Sequence, residues 1–369
     1  MDRQRKLKLA QAIARGQMQQ SEVVAVMLVG SVALGVESAD SDLDIAVFSD
    51  GVESPDQEIF QREGVRIGLE FYPVLEFHDW PEVPILPRSE LRNCGRFLRG
   101  MVLESRWSDL EDVRAKWRSA ILHPSEALTI LTIAKKTLSD EGGEPSLEAW
   151  KRGWHLQAAA FALAIVALSL APCRFQKPKW LARDLAECGP ASLLRVLRIL
   201  CSSGCADEAQ ARRATEAAAW AVEEGCRVGS LPALSFDVAI HDSDAISIYR
   251  TYRDASSLLR DGDWEGAIYT SFFCIRMMHS YLRGLAARKA QPSPEEASKW
   301  ADQAIKGTRE RLGAPTRAQL EQAVEELWDI AHSCKAEYLK RASSVQMSQG
   351  QAETLGQVDA LFSSKEGWL

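Results

Sequence analysis

The stretch LVGSVALGVESADSDLDIAVF, residues 28–48, decides how this chain is read. An apolar strand ends at Gly30-Ser31, a short helical turn follows, and a second strand opens with Asp42-Leu43-Asp44. Residues i and i+2 of a strand share a face. Asp42 and Asp44 are therefore expected to point together, with Leu43, Ile45 and Val47 turned into the core. Two neighbouring carboxylates repel one another unless a hard cation lies between them, and magnesium takes one or two carboxylates together with substrate phosphates. A glycine lets a phosphate approach the backbone, and the turn after it presents free N–H groups. The Ser31 hydroxyl can donate to a phosphate oxygen. Either motif alone is commonplace, because an Asp-x-Asp is usually a solvated turn; the two together in strand–turn–strand order point to phosphate chemistry.

Outward from this unit, the chain carries β-type runs at VVAVMLVG (23–30), DLDIAVF (42–48) and VRIGLEFYPV (65–74). In the last, Val65, Ile67, Leu69 and Phe71 alternate onto one face. Glu70 lies on the other, where a third carboxylate of a metal site would stand. Residues 2–18 have helical spacing at Leu7, Ala10, Ile13 and Ala14. After Pro87 the pattern predicts helices near 88–107, 109–120, 124–139, 147–171, 179–187, 190–202, 206–225, 244–261, 264–288, 293–311 and 316–341. Ser293-Pro294 with Glu296 reads as a capping box, and Thr316 as a further cap. The expected fold class is α+β: a small mixed sheet in residues 1–120, a helical middle region in 121–235 and a helical bundle in 236–345. A polar tail, 346–369, is expected to gain order only through Leu361, Phe362 and Trp368.

Composition sets limits. The 369 residues suffice for two or three domains. A net charge of −7 and the lack of a densely basic stretch argue against duplex nucleic acid as the main partner. The apolar stretch 156–172 is Ala-rich and shorter than the roughly 20 residues a membrane span needs, so it predicts a buried core helix. No signal-peptide pattern opens the chain. The eight scattered cysteines lack metal-ligand spacing and read as thiols of a cytoplasmic protein.

Gly30-Ser31, ten intervening residues and Asp42-x-Asp44, with Glu70 on a later strand, resemble the signature of the DNA polymerase β-type nucleotidyltransferases. The likeness is strongest over 22–48. It is most similar to the small-molecule branch, which includes antibiotic nucleotidyltransferases with a helical C-terminal region. The resemblance implies transfer of a nucleoside monophosphate from a nucleoside triphosphate, with ATP the expected donor, to a hydroxyl of a small molecule, releasing pyrophosphate. It implies that Asp42, Asp44 and Glu70 are catalytic and hold two Mg²⁺ ions, with Mn²⁺ able to substitute, and that Gly30 and Ser31 bind the β- and γ-phosphates. Val32 and Leu34 stand where many relatives carry arginine, which leaves the cations that neutralise the triphosphate unidentified.

Lys179, beside Lys177 in KPKWLARDL, is the candidate nucleotide-binding cation, against the plain reading of a solvated loop. Glu144, Glu148, Asp79 and Glu104 are candidate general bases. Arg276 and His279, with two residues between them, are read as part of a scaffold or substrate-binding wall and not as a nuclease pair. Two alternatives stand beside the small-molecule reading: nucleotidylation of a protein or RNA acceptor in a toxin–antitoxin-like system, and a non-catalytic nucleotide-binding protein. An oligomer is compatible with all three.

Overall fold

Alternation of apolar residues in three short strands needs a sheet to bury one face, and the opening amphipathic helix supplies the cover. A computed structural model describes residues 2–37, 41–51, 57–141, 148–171, 178–202, 206–229, 243–288 and 292–362. Two compact units divide the chain: residues 1–126 with 169–176, and residues 127–168 with 177–369.

The first unit is built on a five-stranded mixed sheet. Helix α1 (Arg3–Gln17) leads to β1 (Val23–Val29), the short α2 (Gly30–Leu34) and β2 (Leu43–Ser49). Strands β3 (Gln57–Arg62) and β4 (Val65–Pro73) follow, then α3 (Leu75–His78), β5 (Ile85–Leu86), α4 (Arg88–Leu98) and β6 (Met101–Ser105). Helix α5 (Leu110–Ser119) and β7 (Ile121–Leu122) complete it. The order across the sheet is β3-β4-β2-β1-β6, with β2 and β4 parallel and the other neighbours antiparallel. Strands β5 and β7 form a separate two-stranded pair.

Each face of the sheet has its own core. Leu9, Ala10, Ile13 and Ala14 of α1 pack on Leu28, Leu43, Ile45, Val47, Val65, Ile67 and Leu69. On the opposite face lies an aromatic cluster beneath α4 and α5. Phe97 sits 5.2 Å from Phe48, 4.9 Å from Tyr72 and 4.9 Å from Trp117, ring centre to ring centre. Such tilted and edge-on pairs add to the large area that aromatic side chains bury.

Two strands of the five-stranded sheet depart from the sequence expectation. The predicted helix 88–107 is two elements: α4 stops at Leu98 and Met101–Ser105 becomes β6, paired with β1. Gly100 marks the break, because a Cβ there would lie 3.0 Å from the Leu28 carbonyl and 3.1 Å from that of Arg96. Strand β3, an exposed edge with weak alternation, is joined to β4 by Glu63-Gly64, both at positive φ (51° and 77°). That pair is the two-residue hairpin turn whose twist suits adjoining strands.

The second unit is helical. Its elements are α6 (Pro124–Lys136, its first turn shared with the first unit), α7 (Ala149–Ser169), α8 (Leu181–Cys188), α9 (Ala191–Ser202) and α10 (Glu208–Val228). They continue with α11 (Ser243–Arg260), α12 (Trp264–Arg288), α13 (Pro294–Leu312), α14 (Arg317–Ala342) and α15 (Gln349–Ala360). The Ala-rich α7 is a core helix, with Leu156, Ala160, Leu163, Ala164 and Leu168 buried. No described helix is long and apolar enough to cross a membrane. Both predicted caps are formed: Ser293 with Glu296 and Thr316 with Gln319 make reciprocal capping boxes. The tail is more ordered than its polarity suggests. Ser348 and Gln351 cap α15, which buries Val358, and Phe362 meets Trp328 edge-on; Trp368 lies outside the described residues. Cys94, Cys201, Cys226, Cys274 and Cys334 are free thiols, but Cys188 is disulfide-bonded, against the expectation of thiols throughout. Partner choice in a disulfide is set by the fold and not by spacing in sequence.

Candidate active site

The strand register assembles the acidic face. Asp44 on β2 lies opposite Gly68 of β4, Ala46 opposite Glu70 and Phe48 opposite Tyr72. Asp42 precedes β2, and its carboxylate lies 3.9 Å from the guanidinium of Arg66 on the same face of β4. Gly68 leaves open space beside Asp44, since a Cβ there would meet only the Gln57 side-chain amide at 3.9 Å.

On the other flank of Asp44, Val29 pairs with it across the sheet and Gly30 follows. Gly30 has φ +77°, and a Cβ would stand 2.3 Å from Asp44 Oδ2. Both facts require glycine: the left-handed backbone disfavours a side chain, and the carboxylate occupies the space a methyl would take. Ser31 is buried in the first turn of α2. Gly30, Ser31 and Asp44 are thus gathered at one end of β1 and β2.

Lys6 of α1 is wholly buried and donates to the Ser41 carbonyl at 2.9 Å, so the segment that leads into Asp42 is tied to the helix behind the sheet. Sequence pattern marks Lys6 only as a charged helix residue; its burial comes from the fold.

Glu70 stands on the expected face, and its carboxylate is held in place. Arg96 of α4 donates to it through Nη1 at 2.7 Å and Nη2 at 3.0 Å, and Tyr72 Oη donates at 2.5 Å. Burial works to lower the affinity of Arg96 for its proton, yet the hydrogen bonds and charge of Glu70 outweigh it, with Asp44 adding to the effect, and hold the guanidinium above its ordinary value. Tyr72 is held protonated well above the ordinary phenol range by burial and by the charge of Glu70. Ala46, opposite Glu70, is small enough to leave the carboxylate accessible to α4.

Two further arginines follow the same helix face. Arg88, Arg92 and Arg96 are spaced four residues apart, so their side chains stack along α4. Arg92 is exposed and, among the described residues, makes no hydrogen bond or ion pair. Desolvation and the charge of Arg96 lower its proton affinity, against the opposing pull of Glu70 and Tyr72; desolvation and the charge of Arg92 do the same at Arg88, which also feels Glu126. Helical spacing in residues 88–98 could have disclosed this row, but only the sheet shows that it faces the acids.

The fit to a divalent cation divides the three acids. Asp42 and Asp44 offer the hard oxygen donors magnesium takes. Glu70 has both oxygens engaged by Arg96 and one also by Tyr72. Among the described residues no group of three acids, histidines or cysteines is gathered as a metal site. The two aspartates supply the donor type the ion takes, whereas the Glu70 carboxylate is occupied by Arg96 and Tyr72.

Glu104 accepts from Gln11 of α1 at 2.8 Å, which puts it on the far face of the sheet from Asp44 and removes it as a base. Asp79 ends α3 and is exposed. Lys179 and Glu148 belong to the second unit, where Lys179 pairs with Asp254 at 2.8 Å; Lys177 and Glu144 lie outside the described residues. Arg276 is half-buried against Trp154, its guanidinium 3.8 Å from the ring centre, and desolvation lowers its pKa to about 9. His279, half-buried, is lowered to about 4 by burial and by Arg283 and Arg276.

Sequence comparison agrees with this geometry. Residues 12–106, from α1 through β6, match the family model of the nucleotidyltransferase domain. No curated protein matches the chain. Among solved structures, a nucleotidyltransferase-like protein from Exiguobacterium sibiricum 255-15 is similar at 15% identity over 93% of this chain and 95% of its own. The TM-score of that match is 0.24. The first third of the chain thus carries a nucleotidyltransferase domain, and the protein is by that domain a transferase.

Proposed function

We propose that the protein transfers a nucleoside monophosphate from a nucleoside triphosphate, ATP foremost, to a hydroxyl of a small molecule, with release of pyrophosphate. The observation that supports this reading is the seating of the Asp44 carboxylate against Gly30, which brings one acid of the Asp-x-Asp pair to the Gly-Ser turn. Asp42 and Asp44 would hold Mg²⁺, which when bound supplies charge neutralisation at the reacting phosphate. Gly30 leaves room for a phosphate near the backbone, and the Ser31 hydroxyl donates to it. Arg96 places a fixed positive charge beside this face, and Glu70 fixes Arg96 in turn. Positioning and electrostatics of this kind account for most of the catalysis in phosphoryl transfer.

A net charge of −7 without a basic tract favours a small acceptor over RNA. The test is pyrophosphate release from each of the four ribonucleoside triphosphates with Mg²⁺ and a panel of hydroxylated acceptors, beside an Asp42→Asn/Asp44→Asn variant. Acceptor-dependent release that disappears in the variant supports the reading. Lack of both release and Mg²⁺-dependent triphosphate binding would refute it.

A further inference from the structure

The sheet order places two different surfaces on the two flanks of Asp44. Strand β1, followed by Gly30 and Ser31 of α2, lies on one side; β4, with Gly68 and Glu70, lies on the other. In an in-line displacement the attacking and leaving oxygens stand on opposite sides of the phosphorus. If the Gly30-Ser31 flank keeps the departing pyrophosphate, the acceptor arrives over β4. That flank is floored by the open space at Gly68 and overlooked by α4.

Helix α4 brings a row of cations there, and they are unevenly matched. Arg96 is spent on Glu70, with its side chain 14% exposed. Arg88 lies near Glu126. Arg92, between the two, is exposed and has no hydrogen-bonding or ion-pair partner among the described residues. Like charges four residues apart on a helix repel; Glu70 and Glu126 offset part of this repulsion, and Arg92 is the member of the row with no direct carboxylate contact among the described residues. A guanidinium so placed suits a phosphate or carboxylate, which it can hold by two parallel hydrogen bonds.

We infer that the acceptor is an anionic hydroxyl compound, carrying a phosphate or carboxylate group that Arg92 binds. The inference rests on the proposed nucleotidyl transfer and adds the class of its second substrate. In the reaction the acceptor oxygen forms a bond to the α-phosphorus and the bond from that phosphorus to the β-phosphate bridging oxygen breaks. Pyrophosphate leaves with the electron pair, and the hydroxyl proton passes to solvent. Arg92 takes no part in these bond changes; it positions the acceptor.

The test separates the two flanks by binding. The protein is saturated with α,β-methylene ATP and Mg²⁺ and titrated calorimetrically with inorganic phosphate, and then with acetate. The expected result is phosphate or acetate binding to the loaded protein that weakens about tenfold or more in Arg92→Ala, and that Arg92→Lys partly restores. Nucleotide affinity should stay the same in both variants. Arg92 is exposed and unbonded, so unchanged unfolding curves are the control for folding. Three results would overturn the inference: neither anion binding to the loaded protein, equal anion binding by Arg92→Ala, or nucleotide affinity lost with Arg92, which would give the row to the donor phosphates. Failure of wild-type protein to bind the analogue would strike the underlying transferase reading instead.

Discussion

Replacing Gly30 by alanine probes the junction between the Gly-Ser turn and the acidic pair. The added methyl has two separate costs. The first is conformational: at φ +77° an L-residue is disfavoured by roughly 1–2 kcal/mol. The second is steric: the new Cβ would stand 2.3 Å from Asp44 Oδ2, whereas ordinary contact begins at 3.4 Å. The carboxylate has to retreat by about 1 Å, a displacement that costs on the order of 100-fold in rate at a reacting centre. Gly64 supplies the control, since it has the same φ of +77° but nothing within 4 Å of a built Cβ. Gly64→Ala should therefore show the conformational loss alone, read as a lower unfolding midpoint, with transferase turnover intact. Gly30→Ala should show that loss and, in addition, about a 100-fold fall in pyrophosphate release under saturating nucleotide. Equal turnover in the two variants would refute the claim that the Asp44 position depends on the missing side chain.

Three more outcomes follow from the described contacts. Arg96→Met removes the cation from a Glu70 side chain 25% exposed and should cost about 2 kcal/mol, less than a fully buried pair loses; adding Glu70→Gln should recover part of it in a double-mutant cycle of urea unfolding. Lys6→Met keeps the buried stem but removes the donor to Ser41, so transfer should fall about tenfold through misplacement of Asp42 while the melting temperature stays level or rises. His279 titrates near 4 in the fold against an ordinary 6.5, so between those values the unfolded chain binds more protons and stability falls on acidification, by about 3 kcal/mol from pH 6.5 to 4. The groups around it are Arg283, Arg276, His155 and Asp302, and His279→Gln should flatten the stability–pH curve across that window.

Local pattern and close sequence spacing carried much of this structure. Strands β1, β2 and β4 were visible because Val, Ile, Leu and Phe dominate them between turn-forming residues, and the long helices because their apolar stripes repeat and Ser293 and Thr316 cap two of them. Strand β6 was hidden because Met101–Ser105 continues a helical stripe in sequence; only the crowding of Gly100 against β1 shows the break. The acids were legible from their place on strands, but the partner of Glu70 was not. Arg96 lies 26 residues away on another element, and nothing local links the two. The same holds for Lys6, which meets Ser41 across 35 residues.

The turn from α4 into β6 has a consequence for how this domain tolerates change in length. Two residues, Arg99 and Gly100, separate the last turn of the helix from the first residue paired to β1. A helix advances 100° per residue, because 3.6 residues make a turn. One residue inserted there, with β6 kept in register, would swing Arg88, Arg92 and Arg96 by more than a quarter turn, off the acidic face. Absorbed in the strand instead, it would exchange the two faces of β6. The number of residues between Arg96 and Met101 is therefore as constrained as the spacing within Asp-x-Asp, and insertions should be accommodated at the Glu63-Gly64 hairpin sooner than here.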